Sequence, residues 1–251
     1  MIFAQISDTH ILAKSSDQAE GGRRAEDLRR CIADINRQGV DFVVHTGDNV
    51  HHGRPEEYAQ LRELLADLEA PLFIVPGNRD SKSALRAALA TQTHLPKSGD
   101  VLQYVVEDFP LRLVALDSVA AGERKGVYCA QRLAWLEATL AQEPDRPTLL
   151  FMHHPPFDVV PYYVGGYRRP QEAADLTALV SRHPQVVRLL CGHAHCLHRE
   201  QWGGTVATTM PSVAVDLRKG VDASIGEAPL YLLHVASGDG DLVSRTRVVS
   251  D

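Results

Sequence analysis

Residues 72–80, "LFIVPGNRD", join a run of four apolar residues to a glycine turn that carries an amide, a guanidinium and a carboxylate. A short, continuous apolar run is typical of a strand that is covered on both faces. Gly77 permits a tight turn directly after it. In open α/β sheets, ligands bind outside the carboxyl ends of the strands. The stretch therefore predicts a buried strand that ends in a functional loop.

Four other segments of the chain have the same construction. Each is an apolar run followed at once by polar residues: Asp8 and His10 after "IFAQIS", Asp48 after "DFVVHTG", His153 and His154 after "TLLFM", and His193 and His195 after "VVRLLCG". Parallel strands place their carboxyl ends at one edge of a sheet. We therefore expect the five segments to meet in a single site.

Helical patterns alternate with these runs. Apolar residues recur at helical spacing in three segments: Leu28, Ile32 and Ile35; Tyr58, Leu61, Leu64, Leu65 and Leu68; and Leu133, Leu136 and Leu140. This order predicts an α/β fold with parallel strands and helices outside them. Near the C-terminus, "TVATT", "SVAVD", "LYLLHV" and "LVSRTRV" alternate apolar and polar residues, which predicts antiparallel strands that finish a second sheet.

The composition favours one domain with a small-molecule partner. The chain has 251 residues, is 44% hydrophobic and carries a formal charge of -6, so residues 1–251 can bury one substantial core. Lysine and arginine are spread along the chain, which excludes the basic patch of a nucleic-acid polymer or anionic-membrane binder. Residues 13–22, "AKSSDQAEGG", are expected to form a polar loop.

The termini and the cysteines indicate a soluble cytoplasmic protein. The N-terminus "MIFAQISDTH" lacks the features of a signal peptide, and no segment has the roughly 20 apolar residues of a membrane span. Four scattered cysteines do not form a disulfide framework, so we expect reduced thiols. Cys191 and Cys196 flank "GHAH", but ligands this crowded do not readily close a tetrahedron around a structural zinc ion.

The polar residues at the five strand ends have the chemistry of a transition-metal site. Carboxylates, an amide and several imidazoles form a mixed donor set that suits Zn, Mn, Fe or Co better than Ca or Mg alone. These donors are too many for one ion, whereas two ions about 3.5 to 4 Å apart can share a carboxylate. If the segments are extended, Asp8 with His10, and His193 with His195, direct their side chains to the same side.

Together the blocks "DTH", "GDN", "GNRD", "HHPP" and "GHAH" resemble those of the calcineurin-like metallophosphoesterase superfamily, over nearly the whole chain. The segments "GRPEEYAQLRELL", "LDS" and "MHHPPF" are similar to those of its bacterial class III cyclic-nucleotide and glycerophosphodiester phosphodiesterases. This resemblance implies a metallo-dependent phosphatase fold, which is a four-layer α/β/β/α sandwich of two mixed β-sheets flanked by helices.

The resemblance also implies a ligand set and a reaction. One metal would be held by Asp8, His10, Asp48 and His195, and the other by Asp48, Asn78, His153 and His193, with Asp48 as the bridge. The cofactors would be two divalent or mixed-valence ions of Mn, Fe, Zn or Co. The implied reaction is hydrolysis of small phosphodiesters, such as cyclic nucleotides or glycerophosphodiesters, by attack of a metal-bound hydroxide on phosphorus. Relatives often pair through C-terminal strands, so residues 205–215 are a candidate homodimer or homo-oligomer contact.

Arg79 departs from the family pattern, which more often has histidine at this position. Arginine keeps its proton at ordinary pH and offers five donors, so it can clamp phosphoryl oxygens but cannot act as a general acid. His154 and His52 are two alternatives for protonating the leaving group. Asn78 is expected to be a neutral metal ligand with a catalytic role, and Asp80 to fix the turn or a ligand histidine from behind.

Several alternatives stay open at this point. The same metal site would serve a phosphomonoesterase or a phosphonate monoester hydrolase. A non-catalytic scaffold protein with this fold is disfavoured, because every expected ligand position is filled. His45 is expected to be a packed histidine rather than a ligand. Tyr162, Tyr163 and Tyr167 are candidates either for a substrate pocket or for an oligomer contact.

Overall fold

A computed structural model of the protein describes residues 1–14, 18–237 and 241–249. The helices are α1 (Gln18–Gln38), α2 (Pro55–Leu65), α3 (Lys82–Ala88), α4 (Ala130–Gln142) and α5 (Pro170–Val180). The strands are β1 (Ile2–Ile6), β2 (Phe42–His45), β3 (Leu72–Ile74), β4 (Tyr104–Val106), β5 (Arg112–Ala115), β6 (Thr148–Met152), β7 (Val186–Cys191), β8 (His198–Trp202), β9 (Thr205–Thr209), β10 (Leu230–Ala236) and β11 (Leu242–Val248).

The strands form two mixed sheets. The first has the order β11-β10-β1-β2-β3, in which β1, β2 and β3 are parallel and β10 and β11 are antiparallel to their neighbours. The second has the order β4-β5-β6-β7-β9-β8, in which β5, β6, β7 and β9 are parallel and the two edge strands are antiparallel. The predicted α/β fold with parallel strands at its centre is confirmed.

The side chains of β6, in the second sheet, alternate between two apolar clusters, one on each face of the sheet. In β6, Leu149 and Phe151 belong to the cluster between the sheets, which also contains Phe3 and Phe42 of the first sheet. The intervening Leu150 and Met152 belong to a second cluster, with Leu136 of α4 and Leu176 of α5. Successive side chains of a strand point to opposite faces, so this sheet is buried on both. The result is the predicted four-layer α/β/β/α sandwich.

Two helix starts agree with their sequence signals. Pro55 occupies the first turn of α2, followed by Glu56 and Glu57, which suit the positive end of the helix dipole. Ser81 caps α3, since its side chain accepts a hydrogen bond from the Ala84 N–H. Both helices follow strand-end loops of the first sheet, so these signals also fix where those loops end.

The C-terminal third differs from the prediction in its sheet assignment. β9 is parallel to β7 and lies inside the second sheet, while β10 and β11 complete the first sheet rather than a second one. The run "SVAVD" is not a strand and ends in a 3₁₀ turn, Val215–Leu217. An alternating pattern does not specify which sheet a strand joins. Because β9 has a neighbour on each side, residues 205–209 present no free edge to a second chain.

The predicted loop at residues 13–22 is only partly described. Residues 15–17 lie outside the described part of the chain, and the backbone from Gln18 onward is already helical in α1. Helix α1 is held by buried residues farther along it, such as Leu28 and Ile32, so packing outweighs the weak helical signal of its first turn. None of the described helices is both long enough and apolar enough to cross a membrane.

A single phenol joins the two sheets at their edges. The Tyr104 hydroxyl, on β4, donates to the Ile74 carbonyl and accepts from the Ile74 N–H, both at 2.8 Å. Ile74 lies in β3, the edge strand of the first sheet. The hydroxyl therefore satisfies two buried backbone groups that would otherwise face apolar side chains.

We predict that Tyr104→Phe lowers the free energy of unfolding by about 1–3 kcal/mol, because it leaves the Ile74 N–H and carbonyl without partners. Tyr128→Phe is the matched control, since the Tyr128 hydroxyl is buried and has no hydrogen-bond partner among the described residues. Urea unfolding of the two variants compares them directly. Equal stability of both variants would contradict the bridging role of Tyr104.

Candidate metal centre

The five strand-end loops converge, as predicted, but they follow strands of two sheets rather than one: β1, β2 and β3 of the first sheet and β6 and β7 of the second. The reason for their side-chain directions is different from the one expected. Asp8, His10, Asp48, His193 and His195 are in the left-handed region, with φ between 43° and 65°, rather than in extended segments. Non-glycine residues adopt this conformation at a cost, and such positions concentrate at functional sites.

Four donors form the first group of candidate ligands: Asp8, His10, Asp48 and His195, whose ligand atoms lie within 4.8 Å of one another. The His195 Nε2 lies 3.2 Å from Asp8 Oδ1. The His10 Nε2 lies 3.4 Å from His195 Nε2 and 3.6 Å from Asp48 Oδ2. These are the four residues that the family resemblance assigns to one metal.

The second group lies on the other side of Asp48. The His153 Nε2 is 3.1 Å from both Asn78 Oδ1 and His193 Nδ1, and 3.5 Å from Asp48 Oδ1. Asp48 therefore presents Oδ2 to the first group and Oδ1 to the second. This is the arrangement expected of a carboxylate shared by two ions.

One buried oxygen supports a cation in the first group. Asp8 Oδ2 accepts hydrogen bonds from the Ser7 hydroxyl and from the His193 N–H, at 2.6 and 3.0 Å. Asp8 Oδ1 is buried and accepts no well-aligned hydrogen bond from a described residue, although the His195 Nε2 lies 3.2 Å from it. Because a buried carboxylate oxygen without a well-formed hydrogen bond is costly, the atom fits a metal ligand, and the nitrogen and oxygen donors around it fit a transition metal.

The electrostatics of the site keep both carboxylates ionised. Burial opposes ionisation of Asp8 and Asp48, but the imidazoles of His195 and His153 outweigh it, and the pKa of each carboxyl lies well below its ordinary value. Burial alone would lower the pKa of His153, yet Asp48 raises it to about 9. The negative potential that holds this proton also favours metal cations.

Two of the imidazoles are neutral and can donate lone pairs. Burial lowers the pKa of His10 to about 4 and that of His193 to about 3. Hydrogen bonds orient two other rings: His153 Nδ1–H donates to the Thr46 carbonyl at 2.8 Å, and His195 Nδ1–H donates to the Leu217 carbonyl at 2.9 Å. The Nε2 atoms of these two rings consequently face the carboxylates.

Asp80 fixes the turn of the opening motif, as one of the two sequence alternatives proposed. Its Oδ2 accepts hydrogen bonds from the Gly77 N–H at 2.8 Å and the Asn49 amide at 2.7 Å, and its Oδ1 accepts one from the Tyr58 hydroxyl at 2.9 Å. These bonds tie the "GNRD" loop to the "GDN" loop that carries Asp48. Burial raises the pKa of Asp80 to about 6, with Asp48 adding to the effect.

The sequence interpretation overlooked Arg24 and His51. Arg24, on α1, is buried, donates to the His10 carbonyl at 3.3 Å and forms an ion pair with Asp216 at 2.6 Å. The His51 Nδ1 lies 3.4 Å from His10 Nδ1. Asp216 is 192 positions from Arg24, so no local pattern signals this contact. His51 directly precedes His52 in the sequence and lies close after the "GDN" block, so its position was a signal that could have identified it.

The predicted catalytic residues occupy different environments. The Arg79 N–H donates to Asp48 Oδ1 at 2.8 Å, and its guanidinium donates no hydrogen bond to another described residue. His154 is buried, with Nδ1 2.9 Å from the Ser118 hydroxyl and Nε2 3.1 Å from the Arg124 carbonyl. His52 pairs with Glu57 at 2.8 Å. Of the three, only Arg79 has a side chain that forms no hydrogen bond with the residues that the structure describes.

The histidine His154 forms part of a compact ring cluster. His153, His154 and His193 bring ring nitrogens within 4.8 Å of one another. His154 packs on His193 with 4.5 Å between ring centroids, and Tyr163 contacts the same ring edge-on at 5.0 Å. Burial lowers the pKa of His154 well below its ordinary value. Both nitrogens of this neutral ring have hydrogen-bond partners, and the ring packs against His153 and His193.

Other residues singled out in the sequence have structural contacts. His45 is buried and bonds to the Thr9 hydroxyl at 3.0 Å, as expected of a packed histidine. Tyr167 is buried and donates to the His154 carbonyl, whereas Tyr162 is 41% exposed. All four cysteines are free. Neither of the candidate metal groups among the described residues contains a cysteine, which argues against a "CGHAHC" zinc site.

Gly77 is required by close packing at the bridge. A Cβ at this position would overlap the backbone nitrogen and Oδ1 of Asp48. We predict that Gly77→Ala displaces Asp48 and removes most of the bound metal, measured as metal content per chain after metal loading. Gly22→Ala is the matched control, because a Cβ there meets nothing within 4 Å. Full metal content in Gly77→Ala would contradict the packing argument.

Comparisons with known proteins agree with this site. Residues 1–197 match the family model described as calcineurin-like phosphoesterase. A probable glycerophosphodiester phosphodiesterase of Arcobacter nitrofigilis is 32% identical over 256 residues, which cover 99% of this chain and 93% of that protein. The 3',5'-cyclic adenosine monophosphate phosphodiesterase of Escherichia coli K12 is 29% identical, over 85% of this chain and 76% of that protein.

A solved structure has the same fold. The crystal structure of a dimetal phosphatase from Danio rerio superposes with a TM-score of 0.73 at 17% identity, covering 100% of this chain and 97% of that one. At this identity the likeness concerns the fold alone. The family match, the sequence relatives and the two ligand groups around Asp48 lead to one conclusion: this chain belongs to the calcineurin-like phosphoesterase family.

Proposed function

We propose that the protein is a metal-dependent phosphodiesterase that hydrolyses small phosphodiesters, such as glycerophosphodiesters, cyclic nucleotides or similar esters. The observation that carries this proposal is the Asp48 carboxylate, whose two oxygens face two separate groups of ligands. The names of the relatives support the substrate class, since they are glycerophosphodiester and cyclic-nucleotide phosphodiesterases.

In this proposal Asp8, His10, Asp48 and His195 hold one ion, and Asp48, Asn78, His153 and His193 hold the other. When bound, a pair of such ions supplies Lewis acidity at the phosphoryl oxygens and a water that ionises near neutral pH. The ligand set contains two carboxylates, so two divalent ions leave the site with net positive charge. That charge attracts a phosphodiester anion. The mixed donors favour Mn, Fe, Zn or Co.

Arg79 is proposed to clamp the phosphoryl group. Its N–H is anchored on Asp48 Oδ1, which places the residue beside the bridge, and its guanidinium keeps its donors available. His154 was one sequence candidate for the proton donor. Its bonds to Ser118 and Arg124 favour a positioning role instead, in which it supports the His193 ring from behind. Asn78 completes the second ion's ligands without adding charge.

Residues from both sheets contribute to one site, which supports a single catalytic domain over residues 1–251. Four free cysteines suit the reducing cytoplasm. A homodimer would use a surface other than residues 205–209, because β9 lies inside the second sheet. A phosphomonoesterase is the second candidate, because the same ligand groups accept either ester.

We predict that the metal-loaded protein hydrolyses an aryl phosphodiester with a higher kcat/KM than the matching aryl phosphomonoester. The reason is that the relatives are phosphodiesterases. The aryl leaving group is the same in both substrates and needs no proton donor, which suits a site where Arg79 cannot supply a proton, so the comparison isolates the class of ester. Assays with Mn, Fe, Co and Zn added separately test this and identify the active metals. A strong preference for the monoester would refute the diesterase assignment.

We predict that Arg79→Ala lowers kcat on an aryl phosphodiester by roughly 10²- to 10³-fold, the usual effect of removing one donor that stabilises the transition state. Metal content should fall only slightly, because the side chain is not among the proposed ligands. Arg62→Ala, an exposed arginine on α2, is the control. Undiminished turnover in Arg79→Ala would exclude the clamp.

A further inference from the structure

Residues 212–219, in the connection between β9 and β10, contact the first group of candidate ligands. This 212–219 segment includes the 3₁₀ turn Val215–Leu217. Near its start, the buried Ser212 hydroxyl donates to the Asp8 carbonyl at 2.6 Å. At its end, the Lys219 N–H donates to the His195 carbonyl at 2.9 Å. The segment therefore joins the backbones of two ligands that follow strands of different sheets.

The middle of the segment also sets the direction of a ligand side chain. The Leu217 carbonyl accepts a hydrogen bond from His195 Nδ1–H at 2.9 Å. A backbone carbonyl on one ring nitrogen fixes the tautomer and the orientation of the ring, and so directs the other nitrogen to the metal. The His195 Nε2 points at Asp8 Oδ1, 3.2 Å away. Where the Leu217 carbonyl lies therefore decides where this ligand nitrogen lies.

Helix α1 fixes the turn that carries the Leu217 carbonyl. Arg24 donates to the Asp216 carboxylate from two nitrogens, Nε at 3.1 Å and Nη2 at 2.6 Å. Asp27 accepts a hydrogen bond from the Val215 N–H at 3.1 Å. Residues three apart lie on one face of a helix, so Arg24 and Asp27 act from the same side. Asp216 directly precedes Leu217, and the ion pair thus restrains that carbonyl.

The same arginine reaches a second ligand of the group. Its Nη1 donates to the His10 carbonyl at 3.3 Å. This nitrogen also lies 3.3 Å from His51 Nδ1, which is 3.4 Å from His10 Nδ1. The Arg24 side chain is 4% exposed and that of Asp216 is 27% exposed, so the pair is largely shielded from water. A two-nitrogen contact between charged groups gives a fixed geometry as well as energy.

The second group of ligands lacks contacts of this kind. Among the described residues, the Arg24–Asp216 pair forms no hydrogen bond or ion pair with Asn78, His153 or His193. The ring of His153 is oriented instead by a backbone carbonyl in the loop after β2. The pair is therefore connected to one ligand group and not to the other.

We propose that Arg24 and Asp216 are positioning residues for the first group of ligands. Through the His10 carbonyl and the Leu217 carbonyl, the pair holds the His10 and His195 side chains where they bind one ion together with Asp8 and Asp48. Affinity for the other ion does not depend on it. The inference rests on the proposed function and extends it to two residues outside the ligand set.

The test uses Asp216→Asn, Arg24→Gln and the double variant, with Asp34→Asn as the matched control. Asp34 is also on α1, and its carboxylate pairs with Arg247 of β11 at 2.8 Å, away from the ligand loops. The control thus removes an ion pair between the same helix and the C-terminal part of the chain. Melting temperatures establish which variants are folded. Each full-length, metal-free protein is titrated with Co²⁺, and calorimetry and visible absorption follow the two binding steps.

We expect Asp216→Asn and Arg24→Gln each to weaken binding of one Co²⁺ at least about tenfold, the lower end of the effect of losing a group that orients a metal ligand. Binding of the other Co²⁺ should stay within about twofold of wild type. The double variant should lose less than the product of the two single effects, because the residues act as one unit. Asp34→Asn should bind both ions as wild type does.

Anomalous scattering then identifies the weakened site. Crystals of Asp216→Asn, at a Co²⁺ concentration that fills both wild-type sites, should keep the peak beside His153 and lose most of the peak beside His10. Unchanged affinities in both single variants, equal weakening of both ions, or loss of the peak beside His153 overturns the inference and leaves the proposed function in place. A wild type that binds fewer than two ions overturns the two-ion site itself.

Discussion

The position of the Asp48 carboxylate is the constraint on which the site depends. One oxygen faces Asp8, His10 and His195, and the other faces His153 and the Asn78 amide. In this position between the two groups, Asp48 has a left-handed backbone conformation. It packs against Gly77, where no Cβ can be accommodated. The Asp80 carboxylate accepts hydrogen bonds from Asn49 and Gly77 and so joins the two loops on either side. The strand order, which makes β2 and β3 parallel neighbours, brings those loops together.

Backbone strain and buried charge in the strand-end loops oppose folding. The packing of the two sheets outweighs both. Each left-handed non-glycine residue costs about 1–3 kcal/mol, and five of the candidate ligands have this conformation. Buried carboxylates add a desolvation penalty, which the imidazoles offset. Two sheets packed on a common apolar core hold the loops rigidly enough to maintain the strained geometry. A metal ion bound by the same donors would offset the penalty further.

Much of the fold and the grouping of ligands could be predicted from the sequence. Apolar runs that end in polar loops located β1, β2, β3, β6 and β7. Parallel pairing explains why Asp8 lies near Asp48 and His153 near His193, whereas Asp8 and His195 follow strands of different sheets and meet because the two sheets pack against each other. The left-handed conformation of Asp8 was not predictable, because it depends on packing rather than on local propensity. The same holds for Arg24, whose partner Asp216 is distant in the chain. The sheet joined by β10 was predicted wrongly, since an alternating strand fits either sheet edge.

The most direct test of the central claim is an anomalous-scattering map from crystals of the metal-loaded protein. The account predicts two peaks about 3.5–4 Å apart, one on each side of Asp48, with a different carboxylate oxygen bound to each. A single peak, or two peaks of which Asp48 contacts only one, would contradict it.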